Sequence, residues 1–215
     1  MRRLKMRKNN TKGLLITVCG LDGCGKTTML NRLTRDLQKE HEEFVTKQPT
    51  KEVRETAIFR TYMDSPEHDS NDYRSLSLLA ASDRLQHVNK VIEPAMKEGK
   101  IVVSDRYFYS CLENLRARGF CRDQWIFEIA KSVVKPDIAF FFDVPVETAV
   151  ARVRNRPEER DRYIDMELQY QLRQEYLDIC KANGGILIST EQIEEVCYDQ
   201  VKEAVMEVLK KRGGT

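Results

Sequence analysis

The string GLDGCGKTT, from Gly20 to Thr28, combines the residue types needed to hold a phosphate chain. It fits the pattern G-x-x-x-x-G-K-[ST], in which glycines let the backbone curl so that its N–H groups point inward at phosphate oxygens. In this pattern Lys26 reaches the β- and γ-phosphates and the Thr27 hydroxyl ligates Mg²⁺. An apolar run precedes the string and a helical pattern follows it, so a helix N-terminus would add positive potential. The sequence therefore predicts a nucleoside triphosphate site formed by Gly20, Leu21, Asp22, Gly23, Cys24, Gly25, Lys26, Thr27 and Thr28.

Charged residues near other apolar runs could bind a second anionic ligand. Asp105 and Arg106 follow the run IVVS, and Arg84 lies upstream in a helical pattern. Five further arginines cluster in one later stretch: Arg152, Arg154, Arg156, Arg160 and Arg162. Phosphoryl transfer depends mostly on positioning and on charge neutralisation by Mg²⁺, Lys and Arg. Because the sequence has no guanine-reading N/T-K-x-D motif, these arginines favour a small kinase that holds ATP and an anionic acceptor over a GTP-binding switch.

The end of the second apolar run bears on the nature of the acceptor. This run ends in TKQP, which places Gln48 where P-loop kinases of nucleosides have a glutamate base. A hydroxyl acceptor needs such a base, whereas a phosphate acceptor is largely dianionic at neutral pH because its second pKa is near 6. Since Gln48 cannot take a proton, the sequence favours a nucleoside monophosphate as the acceptor.

Five short runs of apolar and β-branched residues, bounded by breakers, predict buried strands. They cover residues 14–19, 43–48, 101–104, 138–144 and 185–190. Apolar residues at helical spacing predict helices over residues 27–40, 78–97, 125–132, 146–154 and 193–210. Strands with continuous apolar character are covered on both faces, and their alternation with helices predicts an α/β fold with a parallel sheet.

Length and composition are those of a globular protein with one domain. The chain has 215 residues, of which 41% are apolar and 33% charged, and this suits a single large core over residues 13–215. Residues 1–12 carry six Lys or Arg, and we expect a solvated, disordered extension rather than a nucleic-acid-binding arm. Residues 64–74 and 152–162 are expected to be mobile.

Targeting and redox signals point to the cytoplasm. No apolar run reaches the roughly 20 residues that span a bilayer, which argues against a membrane protein. Six cysteines without a CxxC pair favour reduced thiols over a zinc site or a disulfide framework.

Taken together, these residues resemble the thymidylate kinase family of P-loop nucleoside monophosphate kinases. The resemblance rests on GLDGCGKTT, on LLAASDRLQHVNKVIEPAM, on VVSDRY and on the arginine-rich stretch that ends in DRY at residues 161–163. It implies a three-layer P-loop NTPase fold with a five-stranded parallel sheet in the order 2-3-1-4-5. It also implies ATP- and Mg²⁺-dependent conversion of dTMP to dTDP, a lid over residues 152–165 and a homodimer.

The resemblance also implies roles for individual residues. Asp22 would face the 3′-hydroxyl of the acceptor sugar, and Asp105 would support Mg²⁺ together with Thr27. The catalytic set would be Lys26, Arg106, Arg154 and Arg156, with both lid arginines neutralising the transferred phosphoryl group. The substrate-binding set would be Asp22, Lys47, Arg84, Arg106, Tyr107 and Asn114.

The sequence departs from the family pattern where the acceptor base is read. The pattern T-R-E-P-G-G-T becomes TKQPTKE: Lys47 replaces an arginine and loses its bidentate fork, Gln48 replaces a glutamate, and the glycines are gone. Ala80 stands where an aromatic residue usually stacks on thymine, and Glu113, Asn114 and Leu115 stand where A-Y-Q is frequent. Two interpretations remain open: drift within the family, or a changed acceptor such as a nucleoside or a modified nucleotide.

Overall fold

The computed structural model describes residues 2–64 and 72–213, and within them five parallel strands form one sheet. The strands are β1 (Leu14–Cys19), β2 (Glu43–Lys47), β3 (Ile101–Asp105), β4 (Ile138–Asp143) and β5 (Ile186–Ser189). Their order, β2-β3-β1-β4-β5, confirms the predicted sheet and its connectivity. The order reverses on either side of β1, and ligands bind at the carboxyl ends of strands next to such a reversal.

Helices cover both faces of this sheet. They are α1 (Lys26–Leu37), α2 (Lys51–Arg54), α3 (Ala57–Asp64), α4 (Tyr73–His87), α5 (Glu93–Lys97), α6 (Tyr109–Ala117), α7 (Trp125–Ala130), α8 (Val146–Arg154), α9 (Met166–Asn183) and α10 (Glu194–Gly213). A π-helical turn, Val88–Ile92, joins α4 to α5, so the helix predicted over residues 78–97 is one continuous run. This run begins at Tyr73, because the side chain of Asp72 caps it by accepting a hydrogen bond from the Ser75 N–H.

The core confirms that the sheet is covered on both faces. Every residue of β1 is buried, and β4 contributes three buried aromatic side chains, from Phe140 to Phe142. The Phe141 ring lies 5.4 Å from the ring of Tyr109 in α6 and 6.2 Å from that of Tyr176 in α9, measured between centroids. These contacts attach α6 and α9 to the sheet, and both helices carry residues of the site described below.

The basic N-terminal segment does not form the expected disordered extension. Leu4 is buried, and its N–H donates to Asn183 Oδ1 at 2.8 Å. Arg7 forms a parallel bridge with Val134, supported by backbone hydrogen bonds of 2.8 and 2.6 Å on either side. The expectation of disorder failed because the apolar Leu4 and the backbone groups around Arg7 find partners that a charge count does not reveal.

Two further expectations concern mobility and membranes. Residues 65–71, most of the first stretch expected to be mobile, lie outside the described residues. Among the helices that the structure describes, none is long and apolar enough to cross a membrane.

Candidate active site

The loop between β1 and α1 has the shape that its glycines predict. Gly20 and Gly23 have φ angles of 140° and 85°, a backbone conformation that residues with a Cβ atom rarely adopt. A Cβ on Gly23 would lie 2.1 Å from the carbonyl oxygen of Ala149, and a Cβ on Gly20 would lie 2.4 Å from that of Phe142. The loop is therefore packed closely against the neighbouring backbone and tolerates no side chain at either position.

Lys26 lies in the hollow of this loop. Its side chain is largely buried, and Nζ donates to the carbonyl oxygens of Gly20 at 3.0 Å and Leu21 at 2.6 Å. Thr27 and Thr28 follow at the exposed start of α1. Backbone N–H groups, a lysine and a hydroxyl thus converge at one helix N-terminus, as a triphosphate site requires.

Two clefts meet at the carboxyl edge of the sheet. The smaller cleft, of about 440 Å³, is lined by the loop, Asp105 and the region after β5. The larger cleft, of about 1280 Å³, lies between α4, α6 and α9. Asp22, Lys47 and Arg106 line both clefts, so these three charged side chains mark the boundary between them.

Arg106 is fixed at this boundary by several contacts. Its Nη2 atom donates to Asp22 Oδ1 at 2.6 Å, and Nη1 donates to the Tyr176 hydroxyl at 2.8 Å. The guanidinium of Arg106 holds the pKa of Asp22 well below its usual range. The backbone of Arg106 has a φ of 66°, a conformation uncommon for residues other than glycine. Its N–H donates to the Val18 carbonyl and its carbonyl accepts from the Ser104 hydroxyl, so two strands hold the strained residue in place.

Asp105 provides an oxygen suited to a metal ion. Its Oδ2 atom pairs with Lys47 Nζ at 3.1 Å, whereas Oδ1 is buried and has no hydrogen-bond partner among the described residues. Thr27 lines the same smaller cleft. Carboxylate and hydroxyl oxygens are the ligands that Mg²⁺ prefers, usually together with phosphate oxygens and waters. The residues present therefore fit Mg²⁺.

The wall of the larger cleft on the α4 side carries buried polar atoms that have no hydrogen-bond partner within the part of the chain that the structure describes. They are Gln48 Oε1, Ser77 Oγ and Arg84 Nε, and each belongs to a buried residue that lines the larger cleft. Arg84 donates through Nη1 to the Ala80 carbonyl at 3.1 Å. Buried polar groups are nearly always hydrogen-bonded, so this wall is suited to a polar ligand.

The α6 side of the larger cleft carries the residues that depart from the family pattern. Glu113 is almost fully buried, and burial raises the pKa of its carboxyl to about 8. Asn114 donates to Glu113 and, at 3.0 Å, to the Ser110 carbonyl, while its Oδ1 accepts from Arg118 Nη1 at 2.9 Å. The guanidinium carbon of Arg118 lies 4.2 Å from the centroid of the Tyr73 ring. The Asn114 amide is therefore already engaged with protein groups at the cleft wall.

The arginine-rich stretch after α8 reaches the site with some of its members. Arg162 donates to Asp22 Oδ2 at 3.4 Å, and Arg156 lines the smaller cleft. Arg152 also lines this cleft, where it donates to the Thr190 carbonyl at 3.0 Å. Arg154 instead donates to the Arg160 carbonyl at 2.5 Å and lines neither cleft. Of the two arginines expected to neutralise the phosphoryl group, the structure brings only Arg156 to the site.

Tyr107 was predicted to contact the substrate, and the structure contradicts this. The side chain is fully buried, and its hydroxyl donates to the Val134 carbonyl at 2.7 Å. The residue lines neither cleft. The turn that directs Arg106 to the cleft directs its neighbour into the core.

Several site residues were missed in the sequence. Tyr176 lies within α9, a helix absent from the predicted elements, and no local motif marks it. Arg118 follows Asn114 by four residues, which is one helical turn, so its position on the same face could have been found. His87 lies one turn beyond Arg84 and contacts Gln48.

Comparison with known proteins agrees with this geometry. The sequence model of the family named thymidylate kinase matches residues 18–201. The chain is 33% identical over 205 residues to a probable thymidylate kinase of Thermococcus gammatolerans, covering 92% of this chain and 98% of that protein. It is 33% identical over 203 residues to one of Pyrococcus horikoshii, with the same coverage. A thymidylate kinase of Prochlorococcus marinus is 29% identical over 213 residues, covering 94% of this chain and all of that protein. Because the family match spans most of the chain and includes both clefts, this protein belongs to the thymidylate kinase family.

Proposed function

We propose that this protein transfers the γ-phosphoryl group of ATP to dTMP and so produces ADP and dTDP. One observation carries the proposal: the phosphate-binding loop and the larger cleft meet at a boundary formed by Asp22, Lys47 and Arg106. Two phosphate-bearing ligands, one in each cleft, would bring their phosphates together at this boundary. Membership of the thymidylate kinase family identifies dTMP as the acceptor to test first.

The smaller cleft would hold the donor. The loop amides and Lys26 would bind the β- and γ-phosphates, and the positive end of α1 would stabilise their charge. Bound Mg²⁺ would supply neutralisation of the phosphate charge, with Thr27 and Asp105 as the protein groups that hold it. Arg156 lies on the same cleft and would stabilise negative charge on the transferred group.

The larger cleft would hold dTMP with its phosphate at the boundary. Arg106 and Arg84 would bind this phosphate, since both residues line the cleft. Asp22 would accept from a sugar hydroxyl, because the low pKa keeps its carboxylate ionised. The acceptor phosphate attacks without losing a proton to the protein, so the transfer needs positioning and charge stabilisation rather than a general base.

Arg162 would link closure of the lid to the acceptor. It pairs with Glu159 at 2.9 Å within the arginine-rich stretch and with Asp22 across the boundary. Residues 152–165 would thus close over both ligands and exclude water from the reacting phosphates.

The assembly and location are part of the same proposal. We expect a homodimer, which size-exclusion chromatography with light scattering would measure directly. We expect the protein to act in the cytoplasm, where its free cysteines would stay reduced.

A coupled assay of ADP release over a panel of nucleoside monophosphates and nucleosides tests the proposal. We expect the highest kcat/KM with dTMP and no turnover with thymidine. Lys26→Met should reduce kcat by at least about a hundred-fold, because a charge at the transferred group is lost. Turnover of nucleosides alone, or of no acceptor at all, would overturn the proposed reaction.

A further inference from the structure

The N-terminal segment, residues 2–9, is attached to the folded protein by specific contacts, although the proposed reaction gives it no role. Two of its five Lys and Arg residues, Arg2 and Arg7, form ion pairs. The other three are exposed: Arg3, Lys5 and Lys8. The segment is therefore attached at two definite places rather than by a general attraction between its positive charge and the protein.

The first attachment joins the segment to α9 through Arg2. Its Nε and Nη2 atoms donate to the two carboxylate oxygens of Glu175 at 2.9 and 3.2 Å, and Nη2 lies 3.1 Å from Asp178 Oδ2. The backbone carbonyl of Arg2 accepts from Asn183 Nδ2 at 2.9 Å. Glu175 is largely buried and also accepts from Arg116 Nε of α6 at 2.9 Å. One carboxylate thus joins three parts of the chain: the segment, α6 and α9.

This attachment fixes the helix that holds the side chain of Arg106. Tyr176 follows Glu175 in α9, and its hydroxyl accepts from Arg106 Nη1 at 2.8 Å and lies 2.9 Å from Ser110 Oγ. Neighbouring side chains of a helix point about 100° apart, so Glu175 is held on one side of α9 while Tyr176 reaches the larger cleft on another. The contacts of Glu175 therefore restrict the rotation of α9 that would move the Tyr176 hydroxyl away from Arg106.

The second attachment joins the segment to the stretch between α7 and β4. Arg7 forms a parallel bridge with Val134, and its guanidinium pairs with Glu93. The Val134 carbonyl also accepts from the Tyr107 hydroxyl at 2.7 Å, and Tyr107 directly follows Arg106 in the chain. The segment is thus anchored beside the backbone that carries Arg106.

Arg106 depends on support of this kind. Its φ of 66° is a strained conformation, and such a conformation persists only where the surrounding structure over-determines it. A misplacement of about 1 Å in a group that positions a substrate can cost about a hundred-fold in rate. Contacts that hold α9 and the backbone after β3 therefore bear directly on how well Arg106 meets an anion.

We infer that the N-terminal segment positions Arg106 for the acceptor phosphate, and that Arg2 is the positioning residue, acting on the Arg106 side chain through α9. The inference rests on the proposed function, because the proposed function assigns the acceptor phosphate to Arg106. None of residues 2–9 lines either cleft, so the segment touches no ligand itself. Loosening it should weaken the binding of dTMP and leave the binding of ATP nearly unchanged.

Binding of dTMP and of ATP to the full chain, measured by calorimetry, tests this role. Arg2→Met removes the ion pairs of Arg2 and keeps a long flexible side chain. It should weaken dTMP binding about three-fold or more and change ATP binding by less than about two-fold. Arg3→Met makes the same change of charge at an exposed neighbour and should change neither affinity. Unchanged dTMP affinity in Arg2→Met, an equal loss in Arg3→Met, or equal weakening of both ligands would overturn the inference.

A double-mutant cycle tests the route through α9. Tyr176→Phe removes the hydroxyl that holds Arg106 and should itself weaken dTMP binding. Arg2→Met should then cause a smaller further loss in the Tyr176→Phe protein than in the wild type, because both changes release the same guanidinium. Fully additive losses would overturn the positioning role.

Steady-state kinetics at 25 °C, on variants that circular dichroism shows to be folded, separate this inference from the proposed function. Arg2→Met should raise KM for dTMP, with kcat and KM for ATP nearly unchanged. Arg2→Lys should recover part of the loss, because it keeps a charge opposite Glu175 without the bidentate fork. Wild-type protein without dTMP turnover would overturn the proposed function and the inference with it. Wild-type turnover combined with an unchanged KM for dTMP in Arg2→Met would overturn the inference alone.

Discussion

Replacing the buried Glu113 by glutamine should stabilise the protein in a pH-dependent manner. Glu113 is almost fully buried in the wall of the larger cleft, and burial raises its pKa from the usual 4.5 to about 8. The guanidinium groups of Arg106 and Arg118 oppose this rise, and Asn114 donates to the carboxyl group. The folded protein therefore holds this carboxyl group protonated at neutral pH.

The magnitude follows from proton linkage. A carboxyl group with a raised pKa in the folded state contributes its full stability below pH 4.5 and loses it as pH rises toward 8. Each pKa unit corresponds to about 1.4 kcal/mol. Relative to its value below pH 4.5, the unfolding free energy is therefore lowered by about 3 kcal/mol at pH 7 and by about 5 kcal/mol above pH 8, because Glu113 must take up a proton or be buried as a carboxylate. Glu113→Gln keeps the carbonyl oxygen that accepts from Asn114 and avoids this cost.

Urea unfolding of both proteins between pH 4 and pH 8 measures the difference. We expect nearly equal unfolding free energies at pH 4 and a growing advantage for Glu113→Gln above pH 5. The exposed Glu203 serves as a control, and Glu203→Gln should unfold like the wild type at every pH. A constant difference between wild type and Glu113→Gln across the range would refute the reasoning, because it would mean that no proton is taken up at Glu113 on folding.

Substitutions at three other positions probe the loop, the boundary and the N-terminal segment. Gly23→Ala should abolish ATP binding or folding, because its Cβ would clash with the Ala149 carbonyl; calorimetry with ATP and circular dichroism distinguish the two losses, and normal ATP affinity would contradict the loop geometry. Arg106→Ala and Arg106→Gly should both raise KM for dTMP about a hundred-fold or more. The glycine variant should have an unfolding free energy about 1 kcal/mol higher than the alanine variant, because glycine adopts the positive φ without strain. Leu4→Ala should lower the unfolding free energy by about 2 kcal/mol, whereas a solvated extension would show no change in denaturation experiments.

Much of the fold was predictable because its signals are local. The central strands of the sheet are continuous apolar runs, and each predicted run matches an observed strand to within two residues at either end. The phosphate-binding loop was predictable for a related reason, since its glycines, lysine and threonine act within one turn of chain. Helices α6 and α9 were missed because polar residues interrupt their apolar faces, whereas the structure shows Tyr109 and Tyr176 of these helices packed on Phe141 of the sheet.

The same distinction between local and tertiary signals applies to the residues of the site. Residue identity determined which side chains carry the charge for phosphate binding, and the motif located Lys26 and Thr27 without a structure. Direction could not be read in this way: Arg106 enters the cleft while the adjacent Tyr107 enters the core, because the strained turn after β3 is held by hydrogen bonds from two strands. The partnership of Gln48 with His87 likewise joins a strand end to a helix 39 residues away.

By itself, the sequence determined the family of the protein, the order of its strands and the chemistry of its phosphate site, since these depend on residue type and spacing over short ranges. The tertiary structure decided which charged groups share a boundary, which arginines reach it and which polar atoms are left for a ligand. These properties depend on burial and on contacts between distant segments. The raised pKa of Glu113 and the Gln48 amide oxygen that finds no partner among residues 2–64 and 72–213 arise from such burial, and neither group differs chemically from the same residue on an exposed surface.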